Sequence, residues 1–515
     1  MTGTRPEPRW SSRETALICA AFLVIAALSS YRLDTYPAPW FDEGWYLQVP
    51  RNLVEHGEYA TRSADQFRRD DTVLSVSPTI YLPIAAAFRV AGIGFVPARL
   101  VIVGYLLTAV ACCYLLGRKL YGPLAGAAAT YLFLFRMEGD PFTSTFLLGR
   151  QVMGEVPAIA FVLGGCLAWR TAAISGRPAM AGLAGGLFAL AVITKLQFVF
   201  IVPPAVAVVG AIAWWQGARR TAWLAVVTTG TIGLMVAGWF ACLWILLGTD
   251  NAAALAANVI AASAPQVRIG ALAAAWRALS FLSTTTFLVL GLPALAYAIL
   301  LEVRDPAPDH GRRLLVALVA TSALWFTLRS IGWPRYAYPM LALGNLLIAR
   351  LLLDLATGLA LVVQRSAGGV ANATAAAAIV IGALVLLPLP QGRVIAKGLV
   401  GPSDLSLPSL RAWLDREIPA GVGVETWEFE VAVMPSPHDY SFPPVRMVDR
   451  MIASVFFGTP IDAGGYDPSA GGSQYLVVGR FAKWTGLYDD AVRGAMPLAS
   501  FGDYDVYRLP GRSSN

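Results

Sequence analysis

The stretch "PAPWFDEGWYLQVPRNLVEHGEY", residues 37–59, decides how this chain is read. It follows directly on an apolar run and sets two adjacent carboxylates, Asp42 and Glu43, among Trp40, Phe41, Trp45 and Tyr46. Charge held beside a membrane costs free energy unless a partner or a task offsets it. Chain neighbours share neither a helical nor a strand face, so the two carboxylates point at different things. One is expected to face a substrate and the other a backbone group or a cation. An acidic residue in the first turn of a following helix also complements its N-terminus, which accounts for one of the pair. The aromatic collar suits the other as a general base.

The surrounding chain has 515 residues, 57% hydrophobic and 14% charged, with a mean hydropathy of +0.60. A soluble domain carries about 25% charged residues, so this composition is that of a polytopic α-helical membrane protein. A crossing takes roughly 20 mostly apolar residues. That rule predicts eleven spans, near 15–31, 98–117, 122–136, 155–173, 179–195, 197–215, 222–247, 281–301, 314–328, 336–353 and 370–389. Arg5, Arg9 and Arg13 precede the first span. Arg118 and Lys119, Arg170 and Arg177, Arg219 and Arg220, Arg304, Arg312 and Arg313, and Arg350 and Arg365 follow the even-numbered ones. The positive-inside rule makes these ends cytoplasmic. The expectation is a bacterial-type plasma-membrane protein with its N-terminus inside and its first loop and C-terminal tail outside. The first run is longer than a signal-peptide core and is read as a retained span.

The net charge of +7 belongs to this asymmetry and to the anionic inner leaflet. No basic patch is interleaved with stacking aromatics, which argues against nucleic acid. All five cysteines fall in predicted spans and the three histidines are scattered, so neither a disulfide framework nor a thiolate or zinc site is expected.

The first loop, about 32–97, is too long for a connector. "RNLVEHGEY" and "SPTIYLPIAAAFRVAG" read as helices lying on the outer membrane surface. The run 179–215 reads as a hairpin broken at "TKLQF", and the Ala-rich loop 248–280 as helical. The chain divides into a membrane module, 1–399, and a small soluble α/β domain, 400–515. In that domain "SLRAWLDREIP" predicts a helix, "GVGVETW" and "SQYLVVGRF" strands, and "YDVYRL" an edge strand.

Other chemistry-bearing residues lie on the outer side. Glu138 and Asp140, two apart in "RMEGDPF", would share a face if extended and could hold a divalent cation, Mg²⁺ or Mn²⁺, or a polar substrate. "GDP" is equally turn chemistry. Arg150 and Glu155 follow, as an ion pair or as binding residues. Lys195, Arg329 and Arg335 occupy outer helix ends, where topology disfavours basic residues beyond simple snorkelling. Arg335, between Trp333, Pro334 and Tyr336, is the best placed to hold a phosphate bidentately. Tyr81 completes the substrate-binding candidates. In the tail, Trp427, Glu428, Glu430, His438 and Tyr440 suit stacking on and hydrogen-bonding a sugar. Outer carboxylates with outer cations suit one chemistry: a carboxylate deprotonates an acceptor hydroxyl while a lipid-linked phosphate leaves against Arg or Lys.

These stretches resemble the GT-C glycosyltransferases, in the branch of protein O-mannosyltransferases and lipid A aminoarabinose transferases. The resemblance runs through "WFDEGWYLQVPRNLVEHGEY", "SPTIYLPIAAAFRVAGIGFVPARLVIVGYLLTAVACCYLLGRKLYG", "GRQVMGEVPAIAF", "AGLAGGLFALAVITK" and "WPRYAYPML", in the family's order. It implies a polyprenyl-phosphate sugar donor, inversion at the anomeric centre, Asp42 as the base with Glu43 beside it, assistance from Glu138 and Asp140, and Arg335 on the donor phosphate. The tail after 400 matches no known acceptor module, so the acceptor stays open. A flippase for a lipid-linked sugar and a non-catalytic scaffold of the same fold are the competing readings. The first is disfavoured by the few charges within spans and the lack of an inverted repeat.

Overall fold

The computed structural model describes residues 11–510 apart from 64–65, 76, 268–271, 306–308, 366–368, 445–446 and 448–465. Arg5 and Arg9 lie outside the described residues. Nine helical stretches among them are long and apolar enough to cross a membrane, including Ser12–Ser30, Phe95–Tyr121, Arg219–Leu247, His310–Leu328 and Pro334–Val363. The protein is an integral membrane protein built on a helical bundle.

The third and fifth of the expected spans are the shorter helices Pro123–Phe135 and Pro178–Thr194. At 1.5 Å per residue the first is about 20 Å long, short of a hydrocarbon core of about 30 Å. Gly122, at φ +100, turns the chain into it, and Gly117 and Gly126 let the two helices touch: a Cβ at Gly117 would stand 2.8 Å from the Gly126 Cα. The irregular segments that continue these short helices, 136–154 and 195–201, are mostly buried. Non-helical backbone is tolerated at such depth only inside protein or against a cavity.

Two further expected boundaries move. The eighth span starts at Phe287 rather than 281, after helix Leu272–Ser283, and its first turn, Phe287–Gly291, is π-helical. The last is interrupted at 387–388, as helices Gly369–Leu386 and Leu389–Val400. The Ala-rich loop is helical over Thr249–Val267, and the hairpin break falls at Lys195, as expected. The basic helix ends gather at one end of the bundle: Arg118 pairs with Glu14 (2.7 Å), Arg170 with Asp309 (3.1 Å), and Arg312 with Glu302 (3.0 Å) and Asp305 (2.7 Å).

At the opposite end the first loop forms helix Phe41–Glu55, strands β1 (Thr61–Ser63) and β2 (Gln66–Arg68), and helix Pro78–Ala91. The C-terminal region adds helix Ser406–Glu417 and strands β3 (Gly423–Thr426), β4 (Asp439–Ser441), β5 (Tyr475–Val478), β6 (Met496–Phe501) and β7 (Tyr504–Arg508). The sheet order is β4-β3-β5-β7-β6. The expected edge strand "YDVYRL" is therefore internal, and β6 is the edge. Pro497 explains the exchange: it lacks an N–H, and the register slips between Pro497 and Ala499, which an edge tolerates and an interior position does not.

The chain break near 400 does not separate two cores. Phe41, Tyr81 and Ile84 of the first loop are buried in one cluster with Trp427, Phe429 and Val477 of the tail. Phe41 stacks on Phe481 at 3.8 Å between ring centroids. Gly44 lies so close to the turn at Phe429–Glu430 that a Cβ there would overlap the backbone.

Candidate active site

Helix Phe41–Glu55 follows Trp40 as its capping residue, and its first turn carries both carboxylates against the positive end of the helix dipole. They diverge, as chain neighbours must. Glu43 is fully buried: Arg99 donates to it through Nε (2.7 Å) and NH2 (2.5 Å), and the Val152 N–H donates at 3.0 Å. This is a bidentate, charge-assisted pair. Arg99 NH1 also donates to the carbonyls of Leu33 (2.7 Å) and Pro37 (2.8 Å).

Arg150 does related work and forms no ion pair with Glu155. Its guanidinium donates to the carbonyls of Leu28 (2.5 Å), Ser29 (2.9 Å), Tyr31 (2.5 Å) and Tyr36 (2.8 Å). Two buried arginines thus hold the linker that delivers Asp42. Neither a role for Arg99 nor this one for Arg150 was read from the sequence, although Arg99 in an apolar run is a signal, since charge within a span is costly without a partner.

Asp42 points the other way and pairs with Arg335, 293 residues along the chain. Both side chains are 15% exposed. Arg335 lies in the short helical turn Pro334–Ala337, its charge 5.0 Å from the Trp333 ring and 5.6 Å from that of Tyr336. Among the described residues its buried Nε has no acceptor, and neither has the buried indole N–H of Trp40. Lys195, at the break between helices, stands 3.0 Å from the Glu155 carboxylate and donates to the Tyr46 hydroxyl at 3.3 Å. The charges acting on Tyr46 are those of Lys195, Glu155, Asp42 and Arg335. Asp140 joins the group: burial pushes its carboxyl above the ordinary range, and the Arg335 charge opposes the rise.

Asp140 apart, the remaining candidates lie elsewhere. Gly139, at φ +72, ends any extended run, so Glu138 and Asp140 do not share a face. Glu138 pairs with Arg136 and accepts from the Thr286 N–H (2.8 Å) and hydroxyl (2.6 Å). Asp140 accepts from the Phe142 N–H at 2.8 Å, and Phe142 packs on Trp40 at 4.7 Å. Tyr81 is buried in the loop core and donates to the Val73 carbonyl at 3.1 Å. Arg329 closes helix His310–Leu328, its N–H donating to the Trp325 carbonyl at 2.9 Å. Among the described residues no three His, Cys, Asp or Glu side chains converge as a metal site.

The arrangement brings three carboxylates (Asp42, Asp140 and Glu155), two cations (Arg335 and Lys195) and two N–H donors without an acceptor among the described residues to one buried junction of the first loop, the second loop, the helix break at Lys195 and the late turn at Arg335. It can hold an anion and accept a proton beside it.

No protein-family model matches the chain, and no curated protein sequence matches it. Its structure is similar to ArnT from Cupriavidus metallidurans bound to undecaprenyl phosphate, with a TM-score of 0.62 at 12% identity over 98% of this chain and 99% of that one. It is also similar to the Archaeoglobus fulgidus oligosaccharyltransferase in the apo form, with a TM-score of 0.60 at 12% identity over 98% of this chain and 76% of that one. The same archaeal enzyme in complex with Zn and sulfate matches at a TM-score of 0.54 and 14% identity, over 95% and 73%. These neighbours are GT-C glycosyltransferases. The chain has the GT-C glycosyltransferase fold over nearly its whole length.

Proposed function

We propose that this protein is an inverting glycosyltransferase that moves a sugar from a polyprenyl-phosphate donor to a hydroxyl acceptor on the extracytoplasmic face. The observation that carries the reading is the Asp42–Arg335 pair, in which the arginine keeps a buried Nε–H with no acceptor among the described residues. A buried donor of this kind costs about 1–3 kcal/mol until something satisfies it. A phosphate oxygen at Arg335 and the Trp40 indole would do so, and would draw Arg335 away from Asp42. The released carboxylate is then free to act as base. The undecaprenyl phosphate bound by the structurally similar ArnT supports the donor class.

In the reaction Asp42 takes the proton of the acceptor hydroxyl, and that oxygen attacks the anomeric carbon from the face opposite the phosphate. The bond from carbon to phosphate oxygen breaks, the electron pair leaves with the phosphate, and Arg335 with Lys195 stabilises the added charge. Attack opposite the leaving group inverts the centre. Glu43 and Arg150 act as positioning residues through the linker and helix that carry Asp42. Glu138 is committed to Thr286 and Arg136, so the protein's own carboxylates fit a resident Mg²⁺ or Mn²⁺ poorly. A cation would need Asp42, Asp140 and donor oxygens together, and binding that depends on donor is the form it takes.

The gathered basic ends support a cytoplasmic N-terminus. The packing of the described tail residues, Trp427, Phe429 and Val477 among them, on the first loop supports a tail on the catalytic side of the 1–399 module. The test is transfer in detergent from a synthetic polyprenyl-phosphate sugar. Asp42→Asn, which keeps shape, is expected to lower turnover about 10²–10⁴-fold with unchanged folding. Wild-type turnover by a folded Asp42→Asn protein sinks the assignment.

A further inference from the structure

Glu155 opens helix Glu155–Ser175, and its carboxylate is fully buried. Among the described residues neither of its oxygens accepts a well-aligned hydrogen bond, and the Lys195 ammonium, 3.0 Å away, offsets its charge. The Asp42–Arg335 pair stands beside this one. Both are tied to one face of helix Phe41–Glu55: Asp42 and Tyr46 lie one turn apart, and Lys195 donates to the Tyr46 hydroxyl at 3.3 Å. A run of rings, Phe200 on Trp325 at 6.4 Å and Trp325 on Tyr336 at 5.8 Å, joins the segment after Lys195 to the turn of Arg335. Each cation of the site therefore has a carboxylate partner before any ligand arrives.

Glu155 is not what places Lys195. The first loop pins the backbone at the helix break: the Ser77 N–H donates to the Ile193 carbonyl at 2.8 Å, and the Ser77 hydroxyl to the Thr194 carbonyl at 2.9 Å. The lysine stem lies along a groove that Gly154 leaves open, where a Cβ would stand 2.8 Å from its Cγ and 2.9 Å from its Cε. The Tyr46 ring, 5.7 Å from the ammonium, bounds it on another side. With placement supplied by these contacts, what Glu155 alone adds is charge. An ammonium has three donors, so Glu155 and Tyr46 leave one for a ligand oxygen. A phosphate bound there competes for the same cation with a buried carboxylate, where charges are weakly screened.

The charge of the lipid changes during transfer. A polyprenyl-phosphate sugar is a phosphodiester with one negative charge, whereas the polyprenyl phosphate left behind is a monoester carrying about −1.5 to −2 at pH 7. Two unopposed cations would hold the product more tightly than the donor. We infer that Glu155 is an internal counter-ion that competes with the lipid phosphate for Lys195 and so promotes release of the polyprenyl phosphate product. The inference rests on the proposed transferase reading and adds to it the step after transfer.

The test measures binding of undecaprenyl phosphate, and of its singly charged methyl diester, to the full-length protein in detergent. Glu155→Gln keeps shape and removes charge. It is expected to tighten undecaprenyl phosphate tenfold or more and the diester less, and to change neither by more than twofold in a Lys195→Met background. Loss of a merely structural residue weakens binding instead, and does so in both backgrounds. Glu155→Asp keeps the charge but draws it back by one methylene, so it covers the case in which Glu155→Gln fails to fold, with a tightening of about threefold. Undecaprenyl phosphate bound no more tightly by the folded variant, equal tightening of the diester, or tightening that persists with Lys195→Met overturns the inference. None of these results needs turnover, so they leave the transferase reading standing. That reading is lost if Asp42→Asn stays active, and both are lost if the wild-type protein binds no undecaprenyl phosphate.

Discussion

Asp42 and Glu43 are neighbours on the chain, yet they belong to two different regions of the molecule. Glu43 faces the bundle, with Arg99 and a backbone N–H saturating a carboxylate of which nothing is exposed. Among the described residues Asp42, 15% exposed, faces the late turn with one ionic partner, beside N–H groups that have no acceptor. The Glu43 carboxylate is closed off, although the Nε–H of Arg150 beside the linker also lacks an acceptor among the described residues, and the Asp42 side is incomplete. Residues that could not be told apart by type are separated by how completely the fold satisfies them. An incomplete, buried polar site is where a ligand can supply what the protein does not.

The comparison can be broken from either side. The largest effect belongs to the anchored side. Arg99→Met leaves Glu43 buried and unpaired, and breaking such a pair costs about 3–5 kcal/mol of stability. The expected result is a protein with a strongly lowered Tm in detergent and little recoverable fold, in contrast with the folded, inactive Asp42→Asn. An Arg99→Met protein of wild-type stability would erase the distinction between the two sides.

The open side answers next. Arg335→Ala removes charge-assisted hydrogen bonds worth about 1.5–3 kcal/mol, so donor-lipid binding should weaken roughly 10–100-fold. Acceptor binding should not change, because only the donor carries phosphate. Titration of undecaprenyl phosphate against both proteins checks this, and equal affinities would make Arg335 an anchor like Arg99.

The smallest effect concerns the domain that grips the Asp42 helix. Burial pushes Glu425 up to about 7, despite hydrogen bonds from Tyr466 (2.6 Å) and Tyr488 (3.2 Å). Between the ordinary value of 4.5 and about 7 the folded domain holds a proton that the unfolded chain has released. Its contribution is fully present below pH 4.5 and is lost as pH rises through 7, by about 1.4 kcal/mol per pH unit at most. Hydrogen exchange of the C-terminal sheet should therefore be slower at pH 5 than at pH 8 after correction for intrinsic rates. Glu425→Gln should flatten that difference, and an unaltered slope in Glu425→Gln would assign it to another group.

Much of this was legible without coordinates. Hydropathy and run length specify a bundle of apolar helices because a span must satisfy its own backbone in hydrocarbon, a purely local demand. The loss of regular structure near Lys195 and the helical first loop are local in the same sense. The acidic pair is conspicuous because charge beside apolar aromatics needs a reason, and chain adjacency alone requires that its members diverge. What the tail would pack against was not legible. Phe41 on Phe481 and Gly44 against Glu430 join positions some 400 residues apart, and nothing in either stretch names the other. The same holds for the edge strand, where Pro497 is the local signal, and for Glu138 and Asp140, parted by a single glycine in a left-handed turn.

The sequence by itself determined a membrane bundle, its basic end and the presence of two adjacent carboxylates beyond the first span, because each follows from the composition of a short stretch. Only the tertiary structure decided which carboxylate is closed off by Arg99 and which is left to Arg335. A partner at a separation of 56 or 293 residues is chosen by packing, and the composition of residues 37–59 is identical in either case.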